Sequence, residues 1–353
     1  MAVNSKTLFV LGAGASKEIG FPTGAELKHK LAARLNIRFP DGWTQSSGDP
    51  AITDALRSVV EGPKGRGGDI NRYLDKTRRM VAALPLALSI DNYIDAQEDD
   101  DIAFLGKLAV VREIAECEKN SAIYFKEVSD VPAMLGRVTS THYHGLFQLL
   151  TEGLRKSNVE DIFENVSFIS FNYDRSLEWY LQHAIQNFFS LDDSRTKEVM
   201  SRLQVIHPYG TIGSLPAVAR QNNAVRFGIS GRDDYVDLAK GIRTFTEQIS
   251  DEALSLAIDI EVKSAVRMVF LGFGYHDINM QTLATTGKTN LRQVIGTAYG
   301  FSESDIDTIK SSVVASFSSV ASNPTFYSSE RVSLRSDLKC AAIFDEYGRT
   351  LRQ

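Results

Sequence analysis

TLFVLGAGASKEIGFPTG, residues Thr7 to Gly24, begins as a run of apolar β-formers, breaks at Gly-Ala-Gly-Ala-Ser and then takes on helical spacing. Thr7–Leu11 reads as a short buried strand and Lys17–Leu35 as the amphipathic helix after it. Strand, glycine turn and helix in this order are how an α/β fold seats a nucleotide. Gly12 and Gly14 let the backbone of Gly12, Ala13, Gly14, Ala15 and Ser16 approach a pyrophosphate, and a helix N-terminus adds partial positive charge. A dehydrogenase fingerprint needs a third glycine at position 17, which is Lys17, and no acidic residue closes a clear second strand about 20 residues on. The turn points to nucleotide binding and gives little support to hydride transfer.

Outward from this turn the pattern changes. Asp41–Pro50 and Gly62–Gly68 are turn-rich, with helical segments between and after them, including Ile102–Cys117 and Met134–Leu154. Residues 40–135 read as a mainly helical insertion. Alternation then resumes: strand character at Val166–Phe171, Leu203–Ile206, Val225–Ile229, Ala265–Leu271 and Leu291–Ala298, helices at Arg175–Phe189 and Leu238–Leu256. Strands separated by helices imply parallel pairing through crossovers. The expected fold is α/β, a doubly wound, mostly parallel, Rossmann-like sheet. Residues 1–39 and 136–300 would form its core. Residues 301–353 are a C-terminal extension with a Ser-rich helical stretch and a possible strand at Cys340–Phe344; it either closes the sheet or forms an assembly surface.

Three further clusters stand where strands should end, the edge at which open α/β sheets bind ligands. Ser170-Phe171-Asn172-Tyr173-Asp174 offers an amide, both donor and acceptor, suited to sugar hydroxyls or an ordered water. Asn172 and Asp174 are equally suited to a turn and a helix N-cap. Ile206-His207-Pro208-Tyr209-Gly210 supplies an imidazole, the side chain most readily used as a base near neutral pH, in a loop stiffened by proline. Leu271-Gly272-Phe273-Gly274-Tyr275-His276 is a second Gly-x-Gly after a buried strand, with His276 and Asn279 also placed to begin a helix.

Composition narrows the classes. The 353 residues carry a net charge of −5 with both signs dispersed, which argues against a general nucleic-acid binder. Cys117 and Cys340 are the only cysteines, so neither a disulfide framework nor a four-cysteine zinc module is expected. Thr141-His142-Tyr143-His144 lacks a matching carboxylate cluster and reads as helix-face histidines, and Glu98–Asp101 as a solvated helix start. No metal site is expected. No apolar run reaches the ~18–20 residues of a membrane span, and the N-terminus lacks a signal-like segment, so a cytoplasmic location is the default expectation.

Gly-Ala-Gly-Ala-Ser, Ser-Phe-Asn-Tyr-Asp, His-Pro-Tyr-Gly and Gly-Phe-Gly-Tyr-His stand in the order used by sirtuin-like NAD-consuming domains, which the chain resembles at both ends of roughly residues 7–285. The resemblance implies that Gly12–Ser16 hold the NAD pyrophosphate and that Asn172, with Asp174 in the same motif, lies beside the nicotinamide ribose. It further implies that His207 is the catalytic histidine and that Gly272, Gly274, Tyr275 and His276 contact the adenosine half. Protein-deacylating sirtuins usually carry a zinc module that two cysteines cannot build, and their second and third motifs are worded differently. The closer resemblance is to bacterial sirtuin-like effectors of anti-phage defence, which hydrolyse NAD to ADP-ribose and nicotinamide, some with a HerA-like hexameric ATPase. NAD is then a substrate, the chain an NAD+ glycohydrolase and a homo-oligomer, and the insertion a lid over the cleft. The alternatives are an NAD-dependent deacylase or ADP-ribosyltransferase, and a subunit that senses NAD or ADP-ribose without turnover.

Overall fold

A computed structural model describes residues 3–61, 69–218, 224–229, 235–285, 287–317 and 329–353. The order of elements is β1 (Thr7–Leu11), α1 (Ala13–Lys17), α2 (Gly24–Leu35), α3 (Pro50–Glu61), α4 (Asn71–Ala83), α5 (Ile90–Gln97), α6 (Asp100–Asn120), α7 (Val131–Arg137) and α8 (His142–Thr151). There follow β2 (Val166–Ser170), α9 (Ser176–Phe189), α10 (Asp193–Met200), β3 (Val205–Ile206), α11 (Tyr235–Ala239), α12 (Phe245–Ser250) and α13 (Glu252–Ser264). The last are β4 (Arg267–Leu271), α14 (Asp277–Leu283), β5 (Gln293–Thr297), α15 (Glu303–Phe317), β6 (Val332–Arg335) and α16 (Cys340–Leu351).

Six strands form one sheet in the order β3-β2-β1-β4-β5-β6, every pairing parallel. This is the Rossmann order, flanked by helices, and the doubly wound α/β expectation holds. The central strands β1, β2 and β4 are buried along their whole length, which is why they read as near-continuous apolar runs. Phe9 of β1 stacks on Phe168, its register partner in β2, with centroids 5.4 Å apart. The order reverses between β1 and β4, so the Gly12 and Gly272 turns stand side by side at the switch point.

Several expected boundaries move, each for a local reason. The helix expected over Lys17–Leu35 is two, because Gly20 turns the chain at φ +101° and Thr23 starts α2 afresh in a capping box with Glu26. Met134–Leu154 is likewise α7 and α8, and Leu238–Leu256 is divided among α11, α12 and α13. There Thr244 and Asp251 each cap a new N-terminus. Val225–Ile229 is not a strand. Among the described residues the nearest bridge is an isolated one of Ser214 with Ala224, just before the segment, and the carbonyls of Val225 and Arg226 accept from Arg175. Cys340–Phe344 is the first turn of α16, with Cys340, Ile343, Phe344 and Leu351 buried at helical spacing. The strand of this region is β6, which extends the sheet at β5, so the extension does close it.

The C-terminal helix belongs to the core. Gly145 lets α8 meet α16, since a Cβ there would stand 2.6 Å from that of Phe344. Glu18 ties the two N-termini together, accepting from the main-chain N–H of His142 (2.7 Å) and of Ala341 (3.0 Å) and bonding His142 Nδ1 (3.0 Å). Burial alone would raise the Glu18 pKa; these bonds outweigh it and hold it below the ordinary carboxylate value.

Between residues 40 and 135 the described elements are helices, joined to α2 by buried charge. Glu113 of α6 accepts from Lys30 (2.8 Å) and from Arg34, while Asp49 pairs with Arg34 and Arg112. The expected loop at Gly62–Gly68 lies outside the described residues, as do residues 230–234. Asp99 caps α6 by accepting from the N–H of Asp101 and Ile102, as a solvated acidic helix start should.

Candidate functional site

The turns after β1, β2 and β4 and the loop after β3 meet at the carboxyl edge of the sheet. Gly12 N–H donates to the Leu271 carbonyl (3.0 Å) and Gly14 N–H to that of Gly272 (2.9 Å), clasping the first turn to the fourth. A Cβ at Gly12 or Gly14 would come within 3 Å of Gly272 backbone, and one at Gly272, where φ is +59°, would strike Gly14 and Ala15. The glycines thus permit close approach first between the two turns. Both glycine amides are spent there, and α1 is only five residues long. The turn offers an anion less than an open glycine loop would.

The second turn is bound into the first by side chains. Asn172, buried, donates through Nδ2 to the Gly12 carbonyl (3.0 Å) and to Ser16 Oγ (2.9 Å). Because a carbonyl only accepts, the amide orientation is fixed, and Oδ1 makes no hydrogen bond with the described residues. Ser16 Oγ donates to Asp174 Oδ2 (2.8 Å), whose Oδ1 accepts from Ser176 N–H (3.0 Å). Asp174, the residue before the Arg175 N-cap, thus accepts from the first N–H of α9 and also ties to the glycine turn.

His207 sits beneath Asn172. Its Nδ1 bonds the Asn172 main-chain oxygen at 3.1 Å, and its Nε2 bonds Glu178 Oε1 at 2.9 Å. The carbonyl can only accept, so Nδ1 donates; opposite an ionised carboxylate Nε2 donates as well, which makes the imidazole a cation. Burial works against that charge, but the Glu178 carboxylate and the Asn172 carbonyl outweigh it and raise the His207 pKa. Glu178 is the residue that motif reading missed. It lies in the first turn of α9, a charged position among Leu177, Tyr180 and Leu181 that are buried with it, and that acid among apolar neighbours was the available signal.

A cleft of about 600 Å³ opens beside this pair, lined by Glu178, His207, Arg175, Val205, Thr211 and Ser214 among others. Asn172 and the two glycine turns do not line it. Arg175 is fully buried and spends its guanidinium on Glu118 of α6 and on the carbonyls of Gly213, Val225 and Arg226. Gly228 N–H closes the arrangement on Glu118 Oε2 at 2.9 Å. A second tie from the insertion is Asp91 of α5, which accepts from Tyr173 (2.6 Å); burial pushes the Asp91 carboxyl up to about 6.

The fourth motif divides. Gly272 belongs to the clasp. Tyr275 (φ +51°) is buried, its hydroxyl donating to the Thr297 carbonyl at 3.1 Å among Phe270 and Phe273. His276 is exposed at the N-cap of α14, with its ring 3.1 Å from where a Gly274 Cβ would be. Neither side chain bonds Asn172 or His207. His142 of the expected helix-face pair is the buried partner of Glu18. Among the described residues no group of three His, Cys, Asp or Glu could hold a metal ion, and no helix is long and apolar enough to cross a membrane. Both cysteines are free and buried. No protein-family model matches the chain, and no curated protein does.

Proposed function

We propose that the chain is an NAD+ glycohydrolase that cleaves NAD+ to ADP-ribose and nicotinamide. The observation that supports this best is the chain of contacts from Gly12 through Asn172 to His207, which joins three loops far apart in sequence. Nicotinamide in NAD+ is a pyridinium that leaves as a neutral molecule, so the leaving group needs no strong acid. What the site must supply is stabilisation of an oxocarbenium-like ribose and a water aimed at C1′. In this reading Asn172 Oδ1 accepts from a ribose hydroxyl or from the water, and the His207–Glu178 pair takes part in removing the proton. In the same reading Gly12–Ser16 and the Gly272–His276 turn seat the dinucleotide, and Asp174 braces the first turn through Ser16.

The motif resemblance extends the proposal to an NAD-depleting effector of prokaryotic anti-phage defence, acting in the cytoplasm as a homo-oligomer, with a HerA-like hexameric ATPase as candidate partner. One observation favours a second reading, a subunit that binds NAD or ADP-ribose without turnover: neither nitrogen of His207 is free in this arrangement. The two separate on one experiment. The full chain, alone and with the ATPase, is given NAD+ without any acylated peptide or protein acceptor. Nicotinamide release supports the hydrolase; tight binding with no release under every assembly condition supports the sensor. Release that depends on an acceptor would indicate a deacylase or ADP-ribosyltransferase.

A further inference from the structure

We propose that Glu178 is the catalytic carboxylate of this site, taking the proton of the attacking water while His207 serves as its cationic partner. The inference rests on the glycohydrolase reading and names a residue outside all four strand-end motifs. A base needs a lone pair, and the imidazole has none to give: Nδ1 donates to the Asn172 carbonyl and Nε2 to Glu178 Oε1. Glu178 uses only that one oxygen. Its Oε2 is buried without a hydrogen-bond partner, on a side chain that is 10% exposed and lines the cleft of about 600 Å³. An ionised carboxylate has acceptor capacity on both oxygens, so this oxygen is the unused base of the pair.

The surrounding charges fit the division of labour. Arg175, the N-cap residue of α9, is saturated by Glu118 and three carbonyls and is not free to neutralise Glu178. Asp174 is spent on Ser16 and Ser176. The buried Tyr143 lies close enough to feel both Glu178 and Asp174. That leaves His207 as the basic side chain bonded to Glu178 among the described residues. The step balances without a further reagent. The C1′–N bond to nicotinamide breaks with its electron pair passing to the ring, a water oxygen bonds C1′, and the water proton goes to Oε2 and then to solvent. The same negative charge has the sign that stabilises a ribosyl cation.

The test compares NAD+ turnover by full-length wild type, Glu178→Gln and Glu178→Ala, with and without azide. The near-isosteric Glu178→Gln should keep the fold, checked by circular dichroism, and lose about 10²–10⁴-fold in kcat. Azide needs no base, so in Glu178→Ala it should restore nicotinamide release and yield ADP-ribosyl azide. The His207 ring resonances of Glu178→Gln should titrate at lower pH than in wild type. Wild-type kcat in Glu178→Gln, or a folded Glu178→Ala that azide does not rescue, overturns the assignment while leaving the glycohydrolase standing. Wild-type protein that releases no nicotinamide overturns both.

Discussion

Asn172 carries two duties at the scale of the residue. Its Nδ2 holds the glycine turn through the Gly12 carbonyl and Ser16, and its backbone oxygen holds the His207 ring. Asn172→Asp should therefore be worse for folding than its shape suggests, because it sets a carboxylate oxygen against the Gly12 carbonyl. A loss of about 1–3 kcal/mol in urea unfolding is expected, the cost of a buried polar group left unpaired. The histidine gives a pH prediction. Its pKa is raised in the fold, so the native state binds the proton more tightly than the unfolded chain does. The stability it contributes is complete below the unfolded histidine value of about 6.5 and fades as pH rises through the higher folded value. Unfolding measured from pH 5 to 9 should show that decline, and His207→Gln should remove it. Asp91 acts in the same sense in a lower window: raised to about 6, it favours the fold below about 4 and loses that contribution as pH climbs to 6. Asp91→Asn should flatten the stability profile there.

Among the elements, the clasp between the first and fourth turns makes the sharpest contrast. Gly20 and Gly272 both have positive φ, but a Cβ at Gly20 meets open space and one at Gly272 meets the backbone of Gly14 and Ala15. Gly20→Ala should cost about 1 kcal/mol of backbone strain. Gly272→Ala should cost at least ~2 kcal/mol more, since packed backbone has nowhere to move. Thermal denaturation of the two variants side by side checks this. The same glycines show what was legible in the sequence. Thr7–Leu11 and, apart from Arg267, Ala265–Leu271 announced buried parallel strands by their apolar runs, Leu291–Ala298 did so more weakly across Arg292 and Gln293, and the Gly-x-Gly turns announced close backbone approach. The sequence did not say that the partner in that approach is the other Gly-x-Gly. Helix breaks were missed where one capping residue outweighed a continuing apolar pattern, as at Thr23 and Thr244. Cys340–Phe344 reads as a possible strand because five mostly apolar residues are too few to distinguish a strand from the start of a helix. Glu178 was missed because motif reading stops at the strand end, whereas its pairing with His207 arises only when α9 folds back beside β3.

Over the whole molecule, the helical segment inserted after α2 is built into the site. Glu118 of α6 neutralises the buried Arg175 and holds Gly228, while Asp91 of α5 receives Tyr173. Any lid motion must therefore leave α6 in place. Glu118→Ala strands a buried guanidinium and should cost about 3–5 kcal/mol; hydrogen exchange should show faster opening around Gly213 and Val225, whose carbonyls Arg175 also holds. Sheet, turns and insertion thus converge on one imidazole–carboxylate pair beside a cleft, and the central claim is that this convergence breaks the bond between ribose and nicotinamide. Quantifying nicotinamide and ADP-ribose formed from NAD+ by wild type, Asn172→Ala and His207→Ala tests it most directly. The account predicts equal amounts of the two products from wild type and a loss of about 10²-fold or more in either variant with the fold intact. Release that survives both substitutions unchanged would contradict it.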